Sequence, residues 1–361
     1  MTQRETLEWL WFSLVMGIGA EIEPVLSVLG SPHELYQYRE TNDFSAILTA
    51  AQCSRLKAVQ LEDAADLLIR CAEQGVRILP FPHAEYPQKL REIPDAPPVL
   101  YAVGDTALLN EGCAVAIVGS RRPSAYGRQA AAEISKGLCD ANVTIVSGMA
   151  DGLDSVAHQT ALQQNAKTIA VMGTGHEQCY PPRNARMRAE IEKTGLVISE
   201  IPPNAKAYKT FFSLRNRIIA ALSDAVCIVE APKHSGTMHT AKYAKRYGRT
   251  LFAVPGSIFS PLSEGTNELL RKGAEICLGA GSILDQLGIE GAQPFEMQSQ
   301  PDQSLSADAQ RVAAALKATP QSIGMLCDAT GLAVWQLTAA LTELELCGKA
   351  VQIAGRQYMV P

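Results

Sequence analysis

Basic and aromatic residues are interleaved over twelve positions near the middle of the sequence. The set comprises Lys206, Lys209, Phe211, Phe212, Arg215, Asn216 and Arg217. Cations at this density can follow a chain of phosphates, and an aromatic ring can stack on any base. Because positions three and four apart are neighbours on a helix, Phe212, Arg215 and Asn216 are predicted to share one face. The pattern favours binding of single-stranded nucleic acid. In the alternative, both phenylalanines are core residues and the arginines only extend from the core to solvent.

Two further segments have residue types that suit phosphate. Ser120, Arg121 and Arg122 follow an apolar run, and forked guanidinium donors match phosphate oxygens. The second segment, Ser235-Gly236-Thr237, precedes an amphipathic stretch. It can be an ordinary helix N-cap, and the start of a helix also offers free backbone N–H groups to an anion. Both segments therefore extend the predicted anion site.

These segments follow short apolar runs, which are typical of strands buried on both faces. The runs are residues 114–118, 143–146, 168–172, 196–199, 225–229 and 250–254. Helices are predicted between them at residues 127–139, 155–163, 186–193, 212–222 and 238–247. Repeated strand–helix alternation predicts an α/β fold with a doubly wound parallel sheet. Ligands bind such sheets beyond the carboxyl ends of the strands, where the segments containing Arg121 and Ser235 begin.

The remaining segments predict two flanking domains. Residues 1–75 indicate short helices, similar to a SAM or helix-hairpin-helix bundle. Its turn Gly17-Ile18-Gly19 is interpreted as a packing element rather than a phosphate site, because Glu21 and Glu23 lie beside it. The other predicted boundaries are a Pro-rich connector at 76–111, the α/β domain at 112–290, a polar linker at 291–305 and a winged-helix outline at 306–361. That outline consists of helices predicted at 307–317, 321–328 and 333–346, followed by a small hairpin around Gly355.

Charge is distributed unevenly along the 361 residues, whose net charge is −5. Residues 1–111 hold 8 Lys and Arg against 16 Asp and Glu, whereas residues 112–290 hold 20 against 15. An anionic partner is therefore expected to meet the central domain. The nine cysteines are never closer than 18 residues, which predicts reduced thiols and a cytoplasmic location. The uncharged run at residues 9–20 is too short to span a bilayer, so no membrane partner is expected.

Several catalytic and cofactor motifs are missing from the sequence. There is no G-x-x-x-x-G-K-[ST] and no G-x-S-x-G, and Gly173-Thr174-Gly175 is followed by Gln178 where a dinucleotide motif needs glycine. His234 and His239 are five apart, which is the wrong spacing for a metal pair on one helix face. We therefore predict no cofactor, no metal site and no catalytic residue.

The loops, taken in order, resemble the DNA-processing protein A family, also called DprA or Smf. The matching stretches are residues 116–123 (AIVGSRRP), 147–162 (SGMADGLDSVAHQTAL), 180–184 (YPPRN), 199–202 (SEIP), 212–222 (FSLRNRIIAAL), 230–241 and 253–267. The resemblance implies a dimeric, non-enzymatic protein that protects incoming single-stranded DNA during natural transformation and helps to load RecA recombinase on it. It also implies that the central domain is an extended Rossmann-like fold without a nucleotide cofactor. It implies DNA contacts at Arg121, Lys209, Phe212, Arg215, Asn216, Ser235, Gly236 and Thr237. Arg122 is added to this predicted site because its guanidinium group also suits phosphate. Asp151 stands where the family usually has arginine, and since a carboxylate repels phosphate, that loop is left out of the predicted contacts.

Two other interpretations stay open. The central fold is also similar to that of cytokinin-activating phosphoribohydrolases, whose P-G-G-x-G-T loop would correspond to Pro255-Gly256-Ser257 and then Gly265-Thr266, with one glycine lost. An adaptor protein that works through its winged helix is the other. The predicted third helix of that domain, residues 333–346, contains Glu343 and Glu345 but no Lys or Arg, so we expect it to add little DNA affinity.

Overall fold

The chain consists of two units, Met1–Phe295 and Glu296–Pro361. In this computed structural model, the structure describes residues 1–289, 305–317, 319–353 and 357–360. The linker predicted at 291–305 lies, apart from Leu305, outside the described residues.

Helices open the first unit, as the sequence predicted for residues 1–75. They are α1 (Gln3–Met16), α2 (Glu23–Leu29), α3 (Pro32–Tyr38), α4 (Ala50–Ala58) and α5 (Leu61–Glu73). Local capping starts two of them: the Thr2 hydroxyl accepts from the Glu5 N–H at 3.2 Å, and Thr49 does the same for Gln52 at 3.3 Å. Buried Trp11 and its apolar neighbours form the core of this bundle.

The stretch predicted as a connector, residues 76–111, instead supplies two strands. They are β1 (Arg77–Pro80) and β2 (Val99–Gly104), with the short helix α6 (Gln88–Arg91) between them. The two strands pair antiparallel, and β2 continues into the sheet through Tyr101, which faces Ser199. The prediction was wrong because prolines prevent a long helix yet are tolerated at the end of an edge strand, where Pro80 lies.

The central elements follow the predicted alternation closely. They are β3 (Ala114–Val118), α7 (Ala125–Asp140), β4 (Thr144–Ser147), α8 (Leu153–Gln163), β5 (Thr168–Val171), α9 (Ala185–Thr194), β6 (Leu196–Ser199), α10 (Lys209–Leu222), β7 (Ala225–Ile228), α11 (Thr237–Arg246), β8 (Thr250–Ala253), α12 (Glu264–Arg271), β9 (Glu275–Ile276) and α13 (Ala280–Leu287). All six predicted strands are present within a residue or so of their expected bounds, and the five predicted helices begin up to three residues earlier.

The strand order in the sheet is β1-β2-β6-β5-β4-β3-β7-β8-β9. The strands from β3 to β9 are parallel to their neighbours among themselves, which confirms the doubly wound fold. The chain adds β4 to β6 on one side of β3 and then returns to add β7 to β9 on the other. Connections leave β3 and β7 towards opposite faces of the sheet, and this reversal opens a crevice at their carboxyl ends.

The second unit has three helices and a small sheet, as expected for a winged helix. Its elements are α14 (Ala307–Ala315), β10 (Gln321–Ser322), α15 (Ile323–Thr330), α16 (Val334–Leu346), β11 (Val351–Ile353) and β12 (Gln357–Met359). Gln321 and Ser322, predicted as the start of a helix, instead pair with β12, and Ser322 caps α15 through its hydroxyl. The hairpin turn predicted around Gly355 is outside the described residues. Taken singly, no described helix is long and apolar enough to cross a membrane; α15 and α16 reach that length and composition only as a pair bent by 103°.

Candidate nucleic-acid interface

A cavity of about 480 Å³ opens at the carboxyl ends of β3 and β7. The loop after β3, the start of α8, the first half of α10 and the loop before α11 form its walls. Eight of the nine residues nominated from the sequence line it: Arg121, Arg122, Phe212, Arg215, Asn216, Ser235, Gly236 and Thr237. The ninth, Lys209, is the exposed first residue of α10, about one turn before Phe212. Segments far apart in sequence thus meet at one opening.

Arg215 lines the cavity as a buried residue, only 5% exposed. Its Nη1 donates to the carbonyl oxygens of Gly148 and Val171, and its Nε donates to the Asn216 side-chain oxygen at 3.1 Å. Burial lowers the pKa of Arg215 to about 10. Gly148 is required here, because a Cβ at that position would collide with the guanidinium. Arg215 therefore shapes the wall. The sequence suggested that its guanidinium binds phosphate, but Nη1 and Nε are already hydrogen-bonded within the protein.

A buried acid accompanies this buried base. Asp154, at the start of α8, lines the same cavity and is 5% exposed. Burial raises the pKa of Asp154, while the charge of Arg215 and neighbouring backbone N–H groups oppose the rise. The interior of the cavity thus balances its own charge, and its net attraction for an anion must come from the rim.

Arg217, which the sequence grouped with the basic residues, does not reach the cavity. It is fully buried, and its Nη2 donates to the Glu200 carboxylate at 2.6 Å. The same Glu200 oxygen accepts from the Gly19 N–H at 2.9 Å, and Gly19 faces the side chain of Leu214 on α10. The turn Gly17-Ile18-Gly19 is therefore a packing element, as predicted, and Arg217 belongs to that contact.

The rim of the cavity holds the available cations. Arg121 and Arg122 are exposed, and neither guanidinium has an ion pair or hydrogen bond to another part of the chain that the structure describes. Lys209 occupies the first turn of α10, a turn without an acidic residue. The positive end of a helix dipole disfavours a cation in this position, and an incoming anion would relieve that repulsion.

The start of α11 faces the cavity with open hydrogen-bonding groups. The helix begins after Gly236 with no side-chain cap. Thr237 donates through its hydroxyl to the Gly119 carbonyl at 3.0 Å, and Asn216 Nδ2 donates to the Gly236 carbonyl at 3.3 Å, so the loop is held in place. The buried hydroxyl of Ser235 has no partner among the described residues. An uncapped helix start beside an unpaired hydroxyl is suited to an anion.

Phe212 is half-buried, so part of its ring packs against the protein while part of it lines the cavity. Its ring packs against Tyr180, with centroids 5.1 Å apart and planes inclined at 60°. Gly173 leaves the space that the Phe212 ring fills. Sequence reasoning quoted residues 180–184 as a motif but gave Tyr180 no role. The only available signal was an aromatic residue in a loop at a strand end.

The carboxylate of Asp151, which lies beside the cavity, is not an unpaired negative charge. It is ion-paired with the guanidinium of Arg183, which comes from the loop before α9. Phosphate repulsion by Asp151 was expected from the sequence, and the pairing with Arg183 offsets that repulsion. In the described part of the chain, no group of three His, Cys, Asp or Glu side chains is placed to hold a metal.

Fold and site together define an α/β protein with a crevice at the reversal point of its parallel sheet, rimmed by exposed arginines, and a winged-helix unit in the same chain. The family described as DNA recombination-mediator protein A matches residues 77–288, and the DprA winged helix domain matches residues 296–356. The chain belongs to this DNA-processing family.

Known members of the family are similar over most of their length. DNA processing protein DprA of Bacillus subtilis (strain 168) is 35% identical over 262 residues, which cover 70% of this chain and 88% of that one. The X-ray structure of DprA from Streptococcus pneumoniae has a TM-score of 0.66 and 31% identity and covers 77% of this chain and 97% of its own. A structure that addresses the single-stranded DNA binding mode of DNA processing protein A from Helicobacter pylori has a TM-score of 0.54 and 35% identity, covering 59% and 95%.

Proposed function

We propose that this protein binds single-stranded DNA in the cavity at the ends of β3 and β7. In this role it is a non-enzymatic recombination mediator that protects incoming DNA and helps to load RecA recombinase during natural transformation. Membership of the family supports the proposal, as does the single-stranded DNA binding of the relative from Helicobacter pylori. The observation that carries it is the cavity itself, where unpaired Arg121 and Arg122 lie opposite an uncapped helix start and beside the ring of Phe212.

Each part of the cavity has a separate task in this proposal. Phosphates meet Arg121, Arg122 and Lys209, and one phosphate accepts hydrogen bonds from the start of α11. A base stacks on Phe212, which requires no particular sequence because every base has a π face. Single strands suit the site because their bases are free to enter it, whereas the bases of a duplex are already stacked and paired.

Two partners are part of the proposal, RecA and a second copy of this chain. The resemblance to the family motivates both. A homodimer is supported by two exposed apolar side chains at the edge strand β9, Ile276 within the strand and Leu278 just after it, which are 55% and 69% exposed. Light scattering should give a dimer mass for the native chain and a monomer mass for Ile276→Glu with Leu278→Glu.

The phosphoribohydrolase interpretation gains no support from the loop that would carry it. Asn267 closes this loop, since its side-chain oxygen accepts from the Gly256 N–H at 3.2 Å and its Nδ2 donates to the Gly256 carbonyl at 3.0 Å. A phosphate-binding loop needs such backbone N–H groups free.

The test of DNA binding is the fluorescence anisotropy of labelled oligonucleotides, single- and double-stranded, at two salt concentrations. Single strands should bind more tightly. Arg121→Glu should weaken binding about tenfold and reduce the salt dependence by roughly 0.7 in log–log slope. Lys136→Glu is the control, because Lys136 is exposed on α7 about 16 Å along the helix from its start, towards the amino ends of the strands and away from the cavity. Failure of the native chain to bind would refute the function, and native affinity in Arg121→Glu would refute the site.

RecA loading needs its own measurement. On a strand already coated with single-strand-binding protein, the native chain should increase DNA-dependent ATP hydrolysis by RecA, and Arg121→Glu should not. If RecA activity does not respond to a chain that binds DNA, the mediator role is wrong although the DNA site stands.

A further inference from the structure

A second aromatic residue, Tyr180, lies beside the cavity next to Phe212. Its ring contacts Phe212, yet Tyr180 is 54% exposed. A ring that only covered Phe212 would bury more of its surface against it. An exposed aromatic face next to unpaired guanidinium groups is the combination on which a nucleotide base stacks.

The loop that carries Tyr180 is anchored by a buried side chain. Asn184 is 7% exposed, and its Nδ2 donates to the Met149 carbonyl at 2.9 Å and to the Ser155 hydroxyl at 3.0 Å. These bonds tie the loop to the start of α8. A ring on an anchored loop loses little conformational freedom when a base stacks on it, so less of the stacking free energy is lost to ordering.

The surroundings of Tyr180 continue the main cavity. A smaller hollow lies next to it, and Arg121 and Phe212 line both. A strand that passes from one to the other would therefore keep Arg121 beside its phosphate. Asp151 also lines the hollow, and its pairing with Arg183 limits its repulsion of that phosphate.

We propose that Tyr180 forms a second base-stacking subsite, which takes the nucleotide next to the one stacked on Phe212. The proposal rests on the proposed function, since it assumes that the main cavity binds single-stranded DNA. Arg121 contacts the phosphate between the two nucleotides. The subsite accepts any base, because stacking on a tyrosine ring needs only a π face.

The test uses two labelled strands of equal length, one of oligothymidine and one of abasic deoxyribose phosphates. On oligothymidine, Tyr180→Ala should weaken binding roughly 5- to 100-fold. On the abasic strand, variant and native chain should bind alike, because the phosphate contacts are unchanged and there is no base to stack. Tyr38→Ala is the matched control, since Tyr38 is 41% exposed and lies in α3 of the helical bundle.

Two more substitutions separate stacking from packing. Tyr180→Phe keeps the ring and should bind oligothymidine within about twofold of the native chain. Tyr180→Leu keeps an apolar contact to Phe212 without a π face, and should lose as much affinity as Tyr180→Ala. Native affinity in Tyr180→Ala or Tyr180→Leu overturns the subsite, and so does an equal loss on both strands. If the native chain binds neither strand, the proposed function fails instead.

Discussion

Two regions of this molecule have architectures that can bind DNA, and they differ in charge. One is the cavity at the carboxyl ends of β3 and β7, and the other is the winged-helix unit. Residues 112–290 carry five more basic than acidic side chains, whereas residues 304–361 carry four of each. Around the cavity, Arg121 and Arg122 are exposed without ion partners in the described chain. In α16, the helix that would enter a major groove, there is no Lys or Arg.

The acidic residue Glu343 of α16 makes contacts within the winged-helix unit. The Glu343 carboxylate accepts hydrogen bonds from the Ser306 hydroxyl at 2.6 Å and the Ser306 N–H at 2.8 Å, and these bonds lower the pKa of Glu343. Glu343 thus supports the start of α14. Leu337, Leu341 and Leu344 are buried in the core of the unit.

Trp335 differs from those leucines, since it is 74% exposed. The outer surface of α16 thus has an apolar side chain where a DNA-reading helix needs cations, which suits a protein partner better than phosphate. The comparison teaches that a DNA-binding architecture alone does not make a DNA site. Unpaired cations and open backbone groups must be present as well.

The largest expected effect tests which cations in the cavity are structural. Arg215→Ala should lower the free energy of unfolding by about 3–5 kcal/mol, because it leaves two buried backbone carbonyls without their donor and removes the positive charge that opposes the desolvation of buried Asp154. Arg122→Ala, an exposed neighbour in the same cavity, should change it by about 0.5 kcal/mol or less. Urea denaturation measures both. An Arg215→Ala variant of native stability and lost DNA affinity would show that Arg215 is a free cation, as first expected from the sequence.

The next effect concerns the aromatic wall. Phe212→Ala should cost about 1–3 kcal/mol of binding free energy through lost base stacking. Because Phe212 is half-buried, the melting temperature must be followed together with the affinity. Phe211→Ala is a suitable comparison, since its neighbouring ring packs on Tyr208 at 5.3 Å rather than lining the cavity. A large loss of stability with unchanged affinity in the folded fraction would make Phe212 a packing residue only.

A smaller effect is expected from the rim cation outside the cavity. Lys209→Glu should reduce single-stranded DNA affinity several-fold and lower the salt slope by roughly 0.7, since one phosphate contact is lost. Lys193→Glu is the control, because Lys193 is exposed in the last turn of α9, near the amino end of β6. The cavity lies at the opposite, carboxyl ends of the strands. Equal salt slopes for the Lys209 variant and the native chain would place the strand elsewhere.

The smallest effect is predicted for the winged-helix unit. A chain ending at residue 300 should keep its single-stranded DNA affinity within about threefold at equal salt, because phosphate neutralisation supplies most non-specific affinity and this unit has no net positive charge. The shortened chain must first be shown to be folded and unchanged in oligomeric state. A loss of roughly a hundredfold would make the winged helix a principal DNA reader and reverse the comparison.

Local patterns in the sequence were sufficient for most of the architecture and for the residues at the cavity. Strands buried on both faces appear as continuous apolar runs, so β3 to β8 could be recognised from short windows. In a parallel sheet the carboxyl ends of neighbouring strands lie at one edge. The loops at Arg121 and Ser235 could therefore be assigned to one site without knowledge of contacts. The strands at residues 77–80 and 99–104 were missed because prolines hid them and their pairing partners are distant in sequence.

The state of each charged residue was decided only by the tertiary structure. Arg121, Arg215 and Arg217 are indistinguishable as sequence letters, yet the first is exposed, the second holds backbone carbonyls, and the third is paired with Glu200. Burial and pairing depend on Gly148, Val171 and Glu200, which approach α10 only when the sheet and the helical bundle have assembled. The sequence by itself thus determined which residues surround the cavity. The fold decided which of them are free to meet a phosphate, because free charge is a property of the neighbours in space and not of the neighbours along the chain.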